Sequence, residues 1–187
     1  MSESWEVELV EQLIMLADRD NPNRAAMAHL RRGLDRPDYV LGRAGWLFRR
    51  VPDWAIDNAV LAAGLFAWVK GDVPHRRPVF GPNGKQKNGP NFGDAFGFGL
   101  KLEEKQQREK RFVALLDTDK DELPYKLRQA ITLIAKSDIS LDWVLFVKDL
   151  SNWDDPERRV QKHWARGFWS AAIEENTTVE TETTVSQ

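Results

Sequence analysis

Apolar residues recur at helical spacing through most of the chain. Between residues 4 and 17, SWEVELVEQLIMLA places Trp5, Leu9, Leu13 and Leu16 on one face, with Glu6 and Glu8 early, where a helix dipole favours acids. A first helix is predicted there. Pro22 opens the next, which carries Met27 and Leu30 on its apolar side and ends near Gly33. A break at Arg36-Pro37 precedes a short helical piece around Trp46, and Asp53 is placed to cap a longer apolar helix from Trp54 to Val69.

The periodicity stops between Gly71 and Gly93, where five glycines and four prolines fall within 23 residues. This predicts a long surface loop. It carries Arg76, Arg77, Lys85 and Lys87 against Asp72 alone, which suits a clamp on nucleic acid and equally a solvated linker. Helical spacing then resumes. FGDAFGFG reads as a short aromatic helix or turn forming a flexible helix entrance, followed by a helix with Phe112, Leu115 and Leu116 in its core face. A helix from Leu123 to Lys136 uses Leu127, Ile131 and Ile134, and another from Leu141 to Trp153 buries Trp143, Phe146, Val147 and Leu150. Asp155 is expected to cap a final helix, with Pro156 in its first turn and Trp164, Phe168 and Ala171 inward. From Glu174 the acidic tail EENTTVETETTVSQ has too few large apolar groups to order itself. The expected fold is all-α, a compact multi-helix bundle open to division into two small helical subdomains. Its parts are an N-terminal helical region at 1–70, a flexible basic loop at 71–93, a C-terminal helical region at 94–173 and a disordered tail at 174–187.

Composition agrees with a globular chain, at 42% hydrophobic and 30% charged residues in 187. The longest apolar run, Ala59 to Val69, is too short to span a bilayer, and acids stand at the N-terminus where a signal peptide carries bases. A soluble, cytoplasmic protein is expected. With no cysteine, disulfides and thiolate metal sites are excluded. The net charge of −2 hides an asymmetry, because residues 21–169 hold 26 bases and 19 acids, whereas both ends are acidic. That is the electrostatic outline of a nucleic-acid binder.

The stretch from Arg24 to Arg50 concentrates this charge, with seven arginines, no lysine and only Asp35 and Asp38 as acids. Arginine presents a planar fork that fits phosphate oxygens in pairs, so an arginine-only stretch suggests phosphate recognition. The same residues also fit an amphipathic helix pair with a solvated basic face. Trp46 and Phe48 alternate with arginines in RAGWLFRR, as base-stacking residues do and as core aromatics do.

Catalytic and metal motifs do not assemble. Asp117, Asp119 and Asp121 open like a calcium loop, but Glu122 replaces the turn glycine and Arg128 the bidentate acid. GPNGKQ has glycines too close together for a phosphate loop, and Gln86 stands where a magnesium-holding hydroxyl is needed. His29, His75 and His163 fall in separate elements, and helix capping accounts for Asp154 and Asp155. No enzyme activity, metal or other cofactor is expected.

Four segments carry a family resemblance: HLRRGLDRP, REKRFVALLDTD at Arg108 to Asp119, LPYKLRQAI at Leu123 to Ile131, and ISLDWVLFVKDLSNW at Ile139 to Trp153. Their order and spacing resemble the CasB family, the small subunit of the type I-E CRISPR surveillance complex called Cascade. The resemblance implies an all-helical, non-catalytic protein, present as two copies along the inner face of a crRNA-bound complex. Its partners would be crRNA, the other Cascade subunits, a second copy of itself and target DNA, as displaced strand or guide–target hybrid. Position carries over Arg31, Arg32, Lys110, Arg111 and Arg128 as basic-surface residues; charge alone adds Arg24, Arg43 and Arg108. Such contacts would stabilise an R-loop. Two other readings stay open. One is a sequence-specific helical DNA-binding regulator using Pro22 to Gly33 as its recognition helix, and the other a scaffold whose arginines meet acidic protein surfaces.

Overall fold

The computed structural model describes residues 4–76, 79–80, 86–87, 89–98, 102–137 and 139–183. Its helices are α1 (Trp5–Leu16), α2 (Arg24–Arg32), α3 (Pro37–Ala44), α4 (Ile56–Trp68), α5 (Phe92–Gly97), α6 (Leu102–Leu116), α7 (Leu123–Ala135), α8 (Trp143–Ser151) and α9 (Arg159–Thr183). Gly45–Phe48 and Asp53–Ala55 are 3-10 turns. The fold is all-α, apart from a two-residue antiparallel ladder of β1 (Val79–Phe80) and β2 (Gln86–Lys87).

Side-chain caps decide where several helices begin. Asn23 accepts from the Ala26 amide at 3.0 Å and starts α2, so Pro22 lies before the cap instead of opening the helix. Asp142 starts α8 the same way, accepting from the Leu145 amide at 3.0 Å. Two expected caps are absent. Asp53 makes no side-chain capping bond and its segment turns in 3-10 form, so α4 begins only at Ile56. Asp155 instead accepts from the Glu157 amide at 3.0 Å, closing a local turn, and Arg158 takes a left-handed φ of 52° before α9 starts at Arg159. An aspartate offered a nearer amide forms a turn in preference to a helix start.

One hydrophobic cluster runs from Leu9 to Phe168, so the N- and C-terminal helical parts share a core instead of holding one each. Helix α4 is its axis in the first half, buried at Ala59, Ala62, Ala63, Leu65 and Ala67 and packed on by α2, α3, α7 and α8. In the second half the filling is aromatic. Phe112 stacks on Phe168 with centroids 4.3 Å apart, Phe92 stacks on Trp164 at 4.6 Å, and Phe66 meets Trp143 edge-on at 5.0 Å where the halves join.

Helix α5 is no flexible entrance. An Asn91–Asp94 capping box fixes its start, and the helix lies against α9. A Cβ at Gly93 would stand 1.8 Å from the Trp164 carbonyl oxygen, and one at Gly97 would stand 2.6 Å from that of Phe168. The two glycines, four apart, let backbone rest on backbone.

The segment before α5 is tied down at both ends. The Leu141 amide donates to the Pro74 carbonyl at 3.0 Å and its carbonyl accepts from Arg76 at 3.1 Å, while the Asp142 amide donates to the Pro90 carbonyl at 2.9 Å. The Trp143 indole donates to the Val73 carbonyl at 3.0 Å. Arg77 and Lys85 of the expected basic loop lie outside the described residues. At the other end, α9 runs on to Thr183, but its last buried side chain among the described residues is Ala171, so the packed body ends before the Glu174 boundary where sequence places the acidic tail. The last tail residues, 184–187, lie outside the described residues. Among the described residues, no helix is long and apolar enough to cross a membrane.

Candidate nucleic-acid interface

Helix α2 is polar at its ends and apolar in the middle, with Ala26, Met27 and Leu30 buried against the core. Its arginines therefore leave on two other faces. Arg24 and Arg31, seven residues apart, share a face that borders a cavity of about 400 Å³ formed with Met27, Ala67 and Lys70. Arg32 turns toward α3, where it donates to the Tyr39 hydroxyl at 3.1 Å and sits 5.9 Å from that ring's centroid. Arg43 lies 5.7 Å from the same centroid, so two guanidinium groups approach one tyrosine ring. His29 Nδ1 completes the group at 2.9 Å from the Tyr39 hydroxyl. Arg24, Arg32 and Arg43 are exposed and Arg31 is half-buried.

On α6, Lys110 and Arg111 are exposed. Arg111 shares a small cleft with Lys126 of α7, floored by Phe96, Ala130 and Leu133. None of Arg24, Arg31, Arg32, Arg43, Lys110 and Arg111 has a carboxylate partner among the described residues, in contrast to Arg50 on Glu8 at 2.6 Å or Arg158 on Asp117 at 3.0 Å.

Arg108 and Arg128 part from the rest. Arg108 is 7% exposed, its guanidinium 5.6 Å from the Phe96 centroid and donating to Ser137 Oγ at 3.3 Å. It faces the interior, so the charge that sequence counts toward a surface is spent on joining α6 to the core. Arg128 donates to Asp35 at 2.8 Å and lies over the Trp68 ring at 4.9 Å, while Trp68 donates to Thr132 at 3.0 Å. This arrangement ties α7 to the turn after α2 and to the end of α4. Of the RAGWLFRR aromatics, Phe48 is core, whereas Trp46 is 52% exposed.

Lys70, Lys126 and Tyr39 are the additions that sequence reading missed. Lys126 stood in the quoted LPYKLRQAI segment; Lys70, isolated before Gly71, gave no cluster to notice.

The three histidines lie apart, each with its own partner. His29 pairs with Tyr39, His75 accepts from the Trp143 amide at 3.2 Å, and His163 lies 3.3 Å from Asn91 Nδ2. Among the described residues no three His, Asp or Glu side chains gather as a metal site. Burial raises the pKa of the Asp149 carboxyl to about 6. The Trp164 indole, donating at 2.6 Å, and the charge of His163 pull it back, and Asp142 pushes it up.

Similarity to known proteins agrees with these helices in this order. The family model for the CRISPR-associated protein Cse2 matches residues 26–169. A CRISPR-associated protein Cse2 of Thermus thermophilus is 43% identical over 67 residues, a stretch that spans 36% of this chain and 38% of that relative. The crystal structure of M. ruber CasB superposes with a TM-score of 0.66 at 31% identity, covering 95% of this chain and 99% of that one. A chain of a CRISPR RNA-guided surveillance complex shares the fold at 18% identity, with a TM-score of 0.68 over 94% of this chain and 97% of that one. On this match, which takes in α2 through the packed half of α9, the chain belongs to the CRISPR-associated Cse2, or CasB, family.

Proposed function

We propose that this protein is a non-catalytic small subunit of an RNA-guided surveillance complex of the Cascade type, and that it holds nucleic-acid backbone and so stabilises the R-loop on target DNA. The carrying observation is the set of exposed or half-exposed cations on α2, α3 and α6 with no carboxylate partner among the described residues. An arginine without an acid partner loses less on meeting a phosphate than one that must first break an ion pair. Opening duplex DNA against a guide RNA is a nearly balanced exchange, so a few backbone contacts tip it. Specificity stays with guide pairing. Its partners in this role are crRNA, the other Cascade subunits, a second copy of itself, and the displaced strand or the guide–target hybrid.

The test is a salt titration of DNA binding for wild type and a triple variant, Arg31→Ala, Arg32→Ala and Arg111→Ala. Wild type should bind several sequences alike, with log K falling by roughly 0.7 for each phosphate contacted per tenfold rise in salt on single strands. The variant should show a shallower slope with its helical circular dichroism intact. A marked preference for one sequence would favour a regulator, and an unchanged slope would place the arginines against protein.

A further inference from the structure

The cavity between the ends of α1 and α4 and the face of α2 joins three features that backbone binding does not need together. It is concave, at about 400 Å³, within the range of sites that enclose small molecules. Arg24, Arg31 and Lys70 stand around it beside the apolar groups of Pro22 and Ala17 and the edge of Met27, and among the described residues no acid lines it. None of the three cations has a side-chain hydrogen bond or ion pair among the described residues.

Lys70 adds a second line of argument. The Gly71 amide donates to the Phe66 carbonyl at 3.2 Å, closing α4 with a loop that requires a left-handed residue at position 70. Lys70 occupies it at φ 56°, where glycine is the ordinary residue and a side chain is strained. The chain thus keeps a lysine beside the cavity against its backbone preference.

We propose that this cavity takes one nucleotide of a single strand, its phosphate held by Arg24, Arg31 and Lys70 and its base lodged against Pro22, Ala17 and the edge of Met27. This rests on the reading above and deepens it. A phosphate alone needs only an exposed charged face such as Arg32 and Arg43 already present. A concave apolar wall is satisfied by a flat apolar body, and the ring of Pro22 offers such a body a flat apolar contact. A base paired in a duplex is not free to enter, so the site selects single strands.

The experiment compares the intact protein's affinity for an oligothymidine, for an abasic phosphodiester of the same length and charge, and for duplex DNA. Arg24→Gln and Lys70→Gly are measured alongside, with melting temperatures. Wild type should bind the abasic strand about fivefold to tenfold more weakly than oligothymidine. Lys70→Gly should bind oligothymidine about fivefold more weakly while melting at the same temperature or higher, since it removes the cation and the strain together. Arg24→Gln should lose affinity without a change in melting. Equal wild-type affinity for the abasic strand and oligothymidine would overturn the base pocket and leave backbone binding standing. Wild-type affinity in both variants would also overturn it and point to an acidic side chain of a partner protein. Failure of wild type to bind any strand at low salt would bring down the proposed function itself.

Discussion

Helix α4 and the crossing of α5 on α9 are both buried, yet they are filled with opposite materials. Around α4 five of the nine buried residues are alanine or glycine, so α2 and α3 pack close and their outer faces are free to carry arginine. Around α5 and α9 two glycines bring the backbones together, and the space beside them is filled by stacked phenylalanines and Trp164. Arginine has a different fate in each setting. On α2 it is presented to solvent; on α6 the same residue type, Arg108, is drawn inward over Phe96. What surrounds a cation, more than how many cations lie nearby in sequence, decides whether it can meet a ligand.

The sharpest break in this comparison is Gly93→Ala. A Cβ 1.8 Å from a backbone oxygen has no room to relax without separating α5 from α9, so a loss of about 4 kcal/mol or more is expected in denaturant unfolding. Phe112→Ala empties the middle of the aromatic stack and should cost about 3–5 kcal/mol by the same measurement. Ala63→Leu tests the other half by overfilling it, at about 1–3 kcal/mol, because Ala63 is fully buried in the core.

Asp149 gives a prediction with a sign. Burial raises its carboxyl from 3.8 to about 6, so between those pH values the folded state binds more protons than the unfolded one, and this group's contribution to stability falls as pH rises through the window. The two-unit rise corresponds to about 3 kcal/mol above pH 7. Asp149→Asn keeps an acceptor for the Trp164 indole and should melt above wild type at pH 8, with the gain fading by pH 4. A pH-independent difference would mean that the effect comes from packing. The smallest effect expected is that of Arg128→Ala, about 1 kcal/mol, since its pair with Asp35 is partly exposed, and the salt slope of DNA binding should not move.

Helices and core residues were largely legible, because Leu127, Ile131 and Ile134, or Trp143, Phe146 and Val147, announce a face by spacing alone. Ends were less so: Asp53 and Asp155 have the right side chain for a cap, but the following backbone chose a 3-10 turn and a local Asx bond. The candidate interface was legible as charge on α2 and α6 and not as geometry. Tyr39 between Arg32 and Arg43, and Lys70 beside Arg24 and Arg31, are meetings of elements that no local pattern encodes.

The attachment of the segment before α5 bears on how the protein can be altered. Arg76 and Pro90 bond to neighbouring residues, Leu141 and Asp142, so the chain leaves and returns at almost the same point on the body. Closing a longer excursion between fixed feet is cheap, about 0.6 kcal/mol for each doubling of length. Arg76 and Pro90 are thus the two feet of a socket. Inserts such as an affinity peptide or a dye-bearing residue can be exchanged there while the helices that carry the cations keep their places.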